Sequence, residues 1–407
     1  MKKTALLSIA VATALNASSS DESSGEGKVS GELHVISVNQ NNQVDTDTHG
    51  TSIGGVLKYE SPSWNDLNLG VGIYVSQKLH VATGSYEEGK AYPDLFGKNT
   101  ASYAYIGEGY MDYSANDFAL RVGRQVIESP FTKTDTPFAD IDLIYIHPIS
   151  FEAAISTYSG MDKTTLLGGY VTRRAGYTGG IVNSKFEKLG GNESNGASIF
   201  GIVNESIDNL ELQGWYSHID RISNIFYADA TYKISFGETM QSKIVGQYAH
   251  FKEENNSGIE GNVYGFGTSF TAGMVTVAAA YNNVSNKHGK VISNSYGGEM
   301  YIVSTEEMEI DGYEDVSAYQ LSAELDMKDV GLEDMTLTAL YCDYKSAPAD
   351  MKVNEINLIA TYEINEAIKI DMSYAMINDI NKNILNQGAS DYSGSFDRLL
   401  VRLNYIF

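Results

Sequence analysis

Residues 395–407 read SFDRLLVRLNYIF. Leu399, Val401, Leu403, Tyr405 and Phe407 share one face of an extended chain, and Arg398, Arg402 and Asn404 share the other. Successive side chains of a strand point to opposite faces, so this stretch presents one apolar face and one charged face. Lipid on one side and a watery lumen on the other require that pattern. A soluble edge strand can alternate in the same way, so the rest of the sequence has to agree.

The opposite end agrees. Lys2 and Lys3 precede an apolar run, Thr4 to Leu15, and the stretch ATALNA offers cleavage after Ala14 or Ala17. This reads as a secretory signal peptide over 1–17, followed by a single barrel domain over 18–407. The run is too short for a spanning helix, and no other segment approaches the ~20 apolar residues one needs. Hydrophobic residues make up 43% of the chain and are dispersed; with 28 Tyr, 39 Gly and 6 Pro, the composition suits strands ringed by aromatic girdles.

Charge and cysteine narrow the function classes. Without Lys2 and Lys3 the chain carries 26 basic and 52 acidic residues, a net charge of −26. Nucleic acid is excluded as a partner at that charge. Cys342 is the one cysteine, so no intramolecular disulfide forms, and its alternating surroundings suit a packed or lumen-lining thiol.

Alternation and turn chemistry predict eighteen strands: 28–39, 51–60, 67–78, 101–113, 117–126, 149–157, 164–173, 197–205, 209–217, 223–234, 241–251, 261–270, 274–284, 316–327, 335–344, 353–363, 367–377 and 395–407. The number is even, as a closed bacterial barrel requires. Connections alternate between short ones, such as 114–116 and 364–366, and long ones, such as 127–148, 174–196 and 285–315. The expected fold is therefore all-β: a closed antiparallel transmembrane β-barrel of 18 strands, with short periplasmic turns and long extracellular loops. All six prolines fall in turns or loops, which leaves every strand N–H free to pair.

The third long loop carries the most distinctive residues. GRQ-x-I-x-S-P-F (123–131) leads into an acidic stretch and then HP-x-S-F-E (147–152), followed by TTL-x-x-x-Y-V (164–171). These segments resemble the porin D (OprD-like) family of outer-membrane channels, in particular its "Opr family porin" branch. This sequence has Ser129, Ser150 and Ala153 where that pattern has Thr, Thr and Gly. The resemblance implies an eighteen-stranded barrel whose third loop folds into the pore, facing a track of basic residues that guides solutes.

On that reading the constriction is set by Glu128, Asp135, Asp140 and Asp142 on the third loop. The basic track is Arg121, Arg173, Lys243, Lys369, Arg398 and Arg402, all on the polar face by alternation except Arg173, which lies near a strand end. Phe407 is the assembly signal read by the outer-membrane barrel assembly machinery. The acidic run 299–315 reads as a solvated loop, with a divalent cation as its alternative ligand and lipopolysaccharide as a bridged neighbour. No zinc spacing, phosphate loop or Ser/His/Asp cluster is present, so no enzyme and no cofactor is expected. The expected function is passive diffusion of small hydrophilic or charged solutes, either as a monomer or as a homotrimer. The alternative is a surface adhesin or structural protein with little channel activity.

Overall fold

Period-two alternation folds into one continuous wall in the computed structural model, which describes residues 26–44, 46–80, 90–133, 138, 146–177, 182–237, 239–381 and 394–407. The expected signal peptide lies outside these residues. The first seven strands are β1 (Lys28–Asn42), β2 (Thr48–Glu60), β3 (Leu67–Lys78), β4 (Tyr103–Ala115), β5 (Phe118–Gln125), β6 (Ser150–Met161) and β7 (Thr164–Tyr177). Then come a short β8 (Val182–Lys188), β9 (Ala197–Ile207), β10 (Leu210–Ile219), β11 (Ser223–Phe236), β12 (Met240–Glu253) and β13 (Gly261–Ala272). The last six are β14 (Val275–Ser285), β15 (Val316–Asp326), β16 (Met335–Ser346), β17 (Met351–Asn365), β18 (Ile368–Asp379) and β19 (Phe396–Ile406).

Each wall strand pairs antiparallel with its neighbours in sequence, and β1 pairs with both β2 and β19. The result is a closed barrel of 18 strands. β8 is additional to the wall: β7 pairs directly with β9 over Thr164–Val171, while β8 adds onto residues 173–177 of β7. That strand was not expected from the sequence. The closing seam runs from Glu32 opposite Ile406 to Asn42 opposite Phe396. The Phe407 N–H donates to the Gly31 carbonyl at 3.0 Å and the Phe407 carbonyl accepts from Gly31 at 2.9 Å. Closure leaves none of the eighteen wall strands at a sheet edge, the condition for strands in a bilayer.

The two faces differ as the terminal segment predicts. Leu399, Val401, Leu403 and Tyr405 are exposed on the outer face, while Arg398 and Arg402 are buried inside. Exposed aromatics gather at two levels. Tyr59, Trp64, Tyr113, Phe236 and Tyr362 lie near the short-turn rim, and Phe200, Tyr216, Phe226, Tyr281 and Tyr319 near the long-loop rim. Amphipathic rings favour the two bilayer interfaces, and an apolar band lies between them.

The largest departure from expectation is segment 286–315. It does not stand in solvent. Tyr296, Met300, Tyr301, Ile302, Val303, Met308, Ile310 and Tyr313 are buried in one cluster with inward-facing wall residues such as Phe151, Trp215 and Tyr344. Its acids are interleaved with apolar residues, and the apolar set governs its placement.

Candidate functional site

The inward face is lined by charges held in pairs. On the closing seam, Asp371 accepts from Arg402 Nε at 3.2 Å and from Asn404 at 2.5 Å, and pairs with Lys369 Nζ at 3.2 Å. His34 Nδ1 lies 2.6 Å from Asn404 Oδ1. Across β4 and β5, Arg121 makes a bidentate pair with Asp112 at 2.6 and 2.7 Å and stacks 3.9 Å over the Tyr110 ring. Lys58 pairs with Glu108 at 3.1 Å, and Tyr110 donates to Glu60 at 2.7 Å. Further round, Asp229 accepts from Tyr227 and from Gln213, each at 2.7 Å. The forked guanidinium donors of Arg121 match a carboxylate edge, and pairing keeps such charges tolerable in a partly desolvated wall.

Segment 286–315 meets this lining over strands β10 to β19. The Tyr296 and Ser217 hydroxyls lie 2.8 Å apart. Asn282 Oδ1 accepts the backbone N–H of Ile302 and of Val303 at 2.9 and 2.7 Å. Glu355 accepts from the Thr305 hydroxyl at 2.6 Å and from the Met308 and Glu307 N–H groups at 2.9 and 3.1 Å. Ser373 donates to Glu306 at 2.7 Å. Arg398, wholly buried, forms ion pairs with both Glu306 and Glu307 and lies 3.5 Å from the Tyr92 hydroxyl. A buried backbone without a neighbouring strand must find other partners, and here wall side chains supply them.

Burial perturbs the acids of this segment. It pushes the Glu307 carboxyl up, against the opposing pull of Arg398. It pushes Asp311 up to about 7, although hydrogen bonds from Asn294 and Ser293 act the other way. Asp311 also accepts from the Tyr301 hydroxyl. Removing a carboxylate from water disfavours its charged form.

The predicted residues fare differently. Arg121, Lys243, Lys369, Arg398 and Arg402 point inward, in register with buried neighbours. Arg173 does not. β7 carries an extra residue, Thr172, between Val171 (opposite Ala153) and Arg173 (opposite Glu152). This bulge turns Arg173 to the outer face, where its Nε lies 3.7 Å from Glu152, and sends Arg174 inward against Gly297.

On the third loop, Glu128 is exposed at its start; Asp135, Asp140 and Asp142 lie outside the described residues. Phe138 reaches distant strands. Its carbonyl accepts from Ser322 of β15 at 2.9 Å, and Lys243 of β12 lies 4.6 Å over its ring. Gly267 of β13 makes room for that ring, since a Cβ there would sit 2.3 Å from it. Nearer the wall, Phe131 stacks on Tyr296 at 5.7 Å. Gly123, opening the GRQ stretch, has φ +131°, and a Cβ would lie 2.3 Å from the Gly109 carbonyl, so glycine lets β4 and β5 approach.

The solvated-loop reading of 299–315 is corrected by burial, and its cation alternative finds no geometry. Among the described residues no three His, Cys, Asp or Glu side chains converge on a metal-sized site. Instead Glu306 and Glu307 go to Arg398, and Glu314 to the Gly289 N–H at 2.9 Å. Cys342 is a buried free thiol. Sequence reasoning paired Lys369 with Asp371, as the structure does, but missed Asp112, Glu306, Glu307 and Glu355 as partners of the lining. The visible signal was the apolar series Tyr301, Ile302, Val303, Met308, Ile310 and Tyr313 threading the acids.

Residues 45–407 match the family model described as outer membrane porin, OprD family. No curated protein sequence matches the chain. Among solved structures, Acinetobacter baumannii OccAB4 superposes with a TM-score of 0.74 at 16% identity, over 95% of this chain and 100% of that one. Pseudomonas aeruginosa OpdQ gives 0.73 at 14% identity, over 94% and 98%. Pseudomonas aeruginosa OpdK, solved with vanillate, gives 0.73 at 13% identity, over 93% and 98%. These identities are low, and what the superpositions share is the barrel.

Proposed function

The chain belongs to the OprD family of outer membrane porins, and we propose that its solutes are small and hydrophilic or charged, selected where an acidic third loop faces the luminal bases. Family membership places it in the bacterial outer membrane as a passive diffusion channel and not an enzyme. In this reading the short turns face the periplasm, the long loops face outward, and the third loop folds into the pore. The observation that carries it is Phe138: a third-loop residue that touches Ser322, Lys243 and Gly267 on the far wall.

Charge preference follows from pairing. Arg121 is matched by Asp112, Arg402 and Lys369 by Asp371, and Arg398 by Glu306 and Glu307. Fields of such pairs fade within a Debye length, about 8 Å at physiological salt. The third-loop acids Glu128, Asp135, Asp140 and Asp142 then set the sign, and cations are favoured. Around the channel we place the partners this class implies: a signal peptide at 1–17 for export, Phe407 for the barrel assembly machinery, lipopolysaccharide and lipid outside, and a homotrimer as the assembly.

Single-channel recording of the refolded barrel under a salt gradient tests the proposal. Ohmic steps with a cation-side reversal potential are expected, moving toward zero when Glu128, Asp135, Asp140 and Asp142 are all changed to the amides. An anion-side potential, with vanillate blocking as an anionic solute, would transfer selectivity to the Arg121 and Arg402 wall. A folded barrel without conductance would instead make the chain an adhesin or structural protein.

A further inference from the structure

The bulge at Thr172 builds a cationic row on the outside of the barrel. Arg124 of β5, Glu152 of β6, Arg173 of β7 and Lys188 of β8 stand directly opposite one another in register. Their face is the outer one. The next residues on that face toward the short-turn rim are Val122, Ala154 and Tyr170, all exposed, whereas Phe151 and Ala153 beside Glu152 are buried inward. Glu152 lies 3.1 Å from Arg124 and 3.7 Å from Arg173, so it holds the two guanidiniums side by side. Arg124 also stacks 4.2 Å over Phe186 of β8. Three bases against one acid leave this patch positive on a chain whose formal net charge is −24. Glu187, opposite the inward-facing Arg174, belongs to the other face.

We infer that this row binds the phosphate of a lipid headgroup in the outer leaflet. Its height is the first argument. Two strand residues span about 6.6 Å, so the row sits just above the outer apolar band, where lipid phosphates lie. Its chemistry is the second. Glu152 takes the Nε and Nη2 edge of Arg124 and the Ile106 carbonyl accepts from its Nη1 at 3.2 Å, whereas Arg173 meets Glu152 only through Nε at 3.7 Å. A guanidinium offers five N–H donors, so those of Arg173 not turned to Glu152 are the ones an anion can take in a fork. The side chains of Arg124 and Arg173 are 39% and 50% exposed. Such charges are costly beside hydrocarbon unless an anion joins them.

Native mass spectrometry of the detergent-folded barrel with diphosphorylated lipid A and its fully dephosphorylated form is the test. The phosphorylated lipid should be retained about tenfold better, and the Arg124→Gln/Arg173→Gln variant should lose that preference. The Arg124→Lys/Arg173→Lys variant should keep part of it. Heat-modifiable mobility shows whether each variant has folded. Should the double Gln variant fail to fold, Glu152→Gln serves in its place and is expected to tighten retention. Equal retention of the two lipids, an unchanged preference in the folded Gln variant, or weaker binding by Glu152→Gln would overturn the assignment. So would displacement of the lipid by millimolar inorganic phosphate, which would mark a site for free anion.

Discussion

β19 and segment 286–315 meet at Arg398, yet they are placed by opposite means. β19 lies between β1 and β18, and its backbone groups are consumed by those ladders. Its side chains are then free to alternate between lipid and lumen, and position follows from period alone. Segment 286–315 joins no ladder of the wall: its backbone meets other backbone at one bridge, Ile259–Val291, and where Gly298 and Glu299 donate to the Phe131 and Lys133 carbonyls. Asn282, Gln320 and Glu355 reach from the wall to take its N–H groups, and Glu306 and Glu307 answer the charge on Arg398. One element is held by a repeating backbone pattern, the other by a few specific side chains and isolated backbone contacts. The second arrangement should yield to single substitutions that leave the first intact.

Arg398→Ala should separate them most sharply. It leaves Glu306 and Glu307 buried without their cation, a loss of about 3–5 kcal/mol. Segment 286–315 should leave the lining, raising single-channel conductance and opening the segment to protease, while the barrel keeps its heat-modifiable mobility. Unchanged conductance and protection would mean the wall amides hold the segment unaided. Val401→Arg attacks the other partner of the comparison. A cation on the lipid face costs about 2–4 kcal/mol near the midplane. Urea titration in vesicles should show the whole barrel destabilised, with the conductance of surviving channels unaltered.

The smallest expected effect is on pH. Burial lifts Asp311 to about 7 from the ordinary 3.8, so the packed segment favours the neutral acid. That contribution is complete below the ordinary value of 3.8 and is lost as pH rises through about 7. Conductance should therefore climb between about pH 4 and about pH 7 and level off above. The Tyr301 hydroxyl donates to this carboxyl, Asn294 and Ser293 hydrogen-bond to it, and its charge acts on Glu299. Asp311→Asn should flatten the profile at its low-pH level, and a slope that survives in that variant would assign it to another acid. The reversal-potential experiment on the third-loop acids complements these, since it reads charge and not packing.

The eighteen wall strands were legible in the residues, most within two or three positions of their ends. Ladder pairing makes local alternation sufficient, as 67–78 and 316–327 illustrate. Three features were not legible. β8 has the mixed sequence VNSKFEK, which lacks a sustained period and gains its pairing only from β7. Arg173 was placed on the basic track although alternation did not put it on the polar face, and one inserted residue, Thr172, turns it outward without any change in composition. The run 299–315 looked solvated because acids dominate its charge, although its apolar residues dominate its burial.

The barrel itself is written residue by residue: two solvents on either side of a strand impose period two, and that period needs no partner to be read. Which loop occupies the lumen, which acid answers which base, and which way Arg173 points became fixed only on folding. Those outcomes depend on partners far apart in the chain, such as Glu306 and Arg398 or Phe138 and Ser322. No local window contains both members of such a pair, and only closure of the sheet brings them within reach.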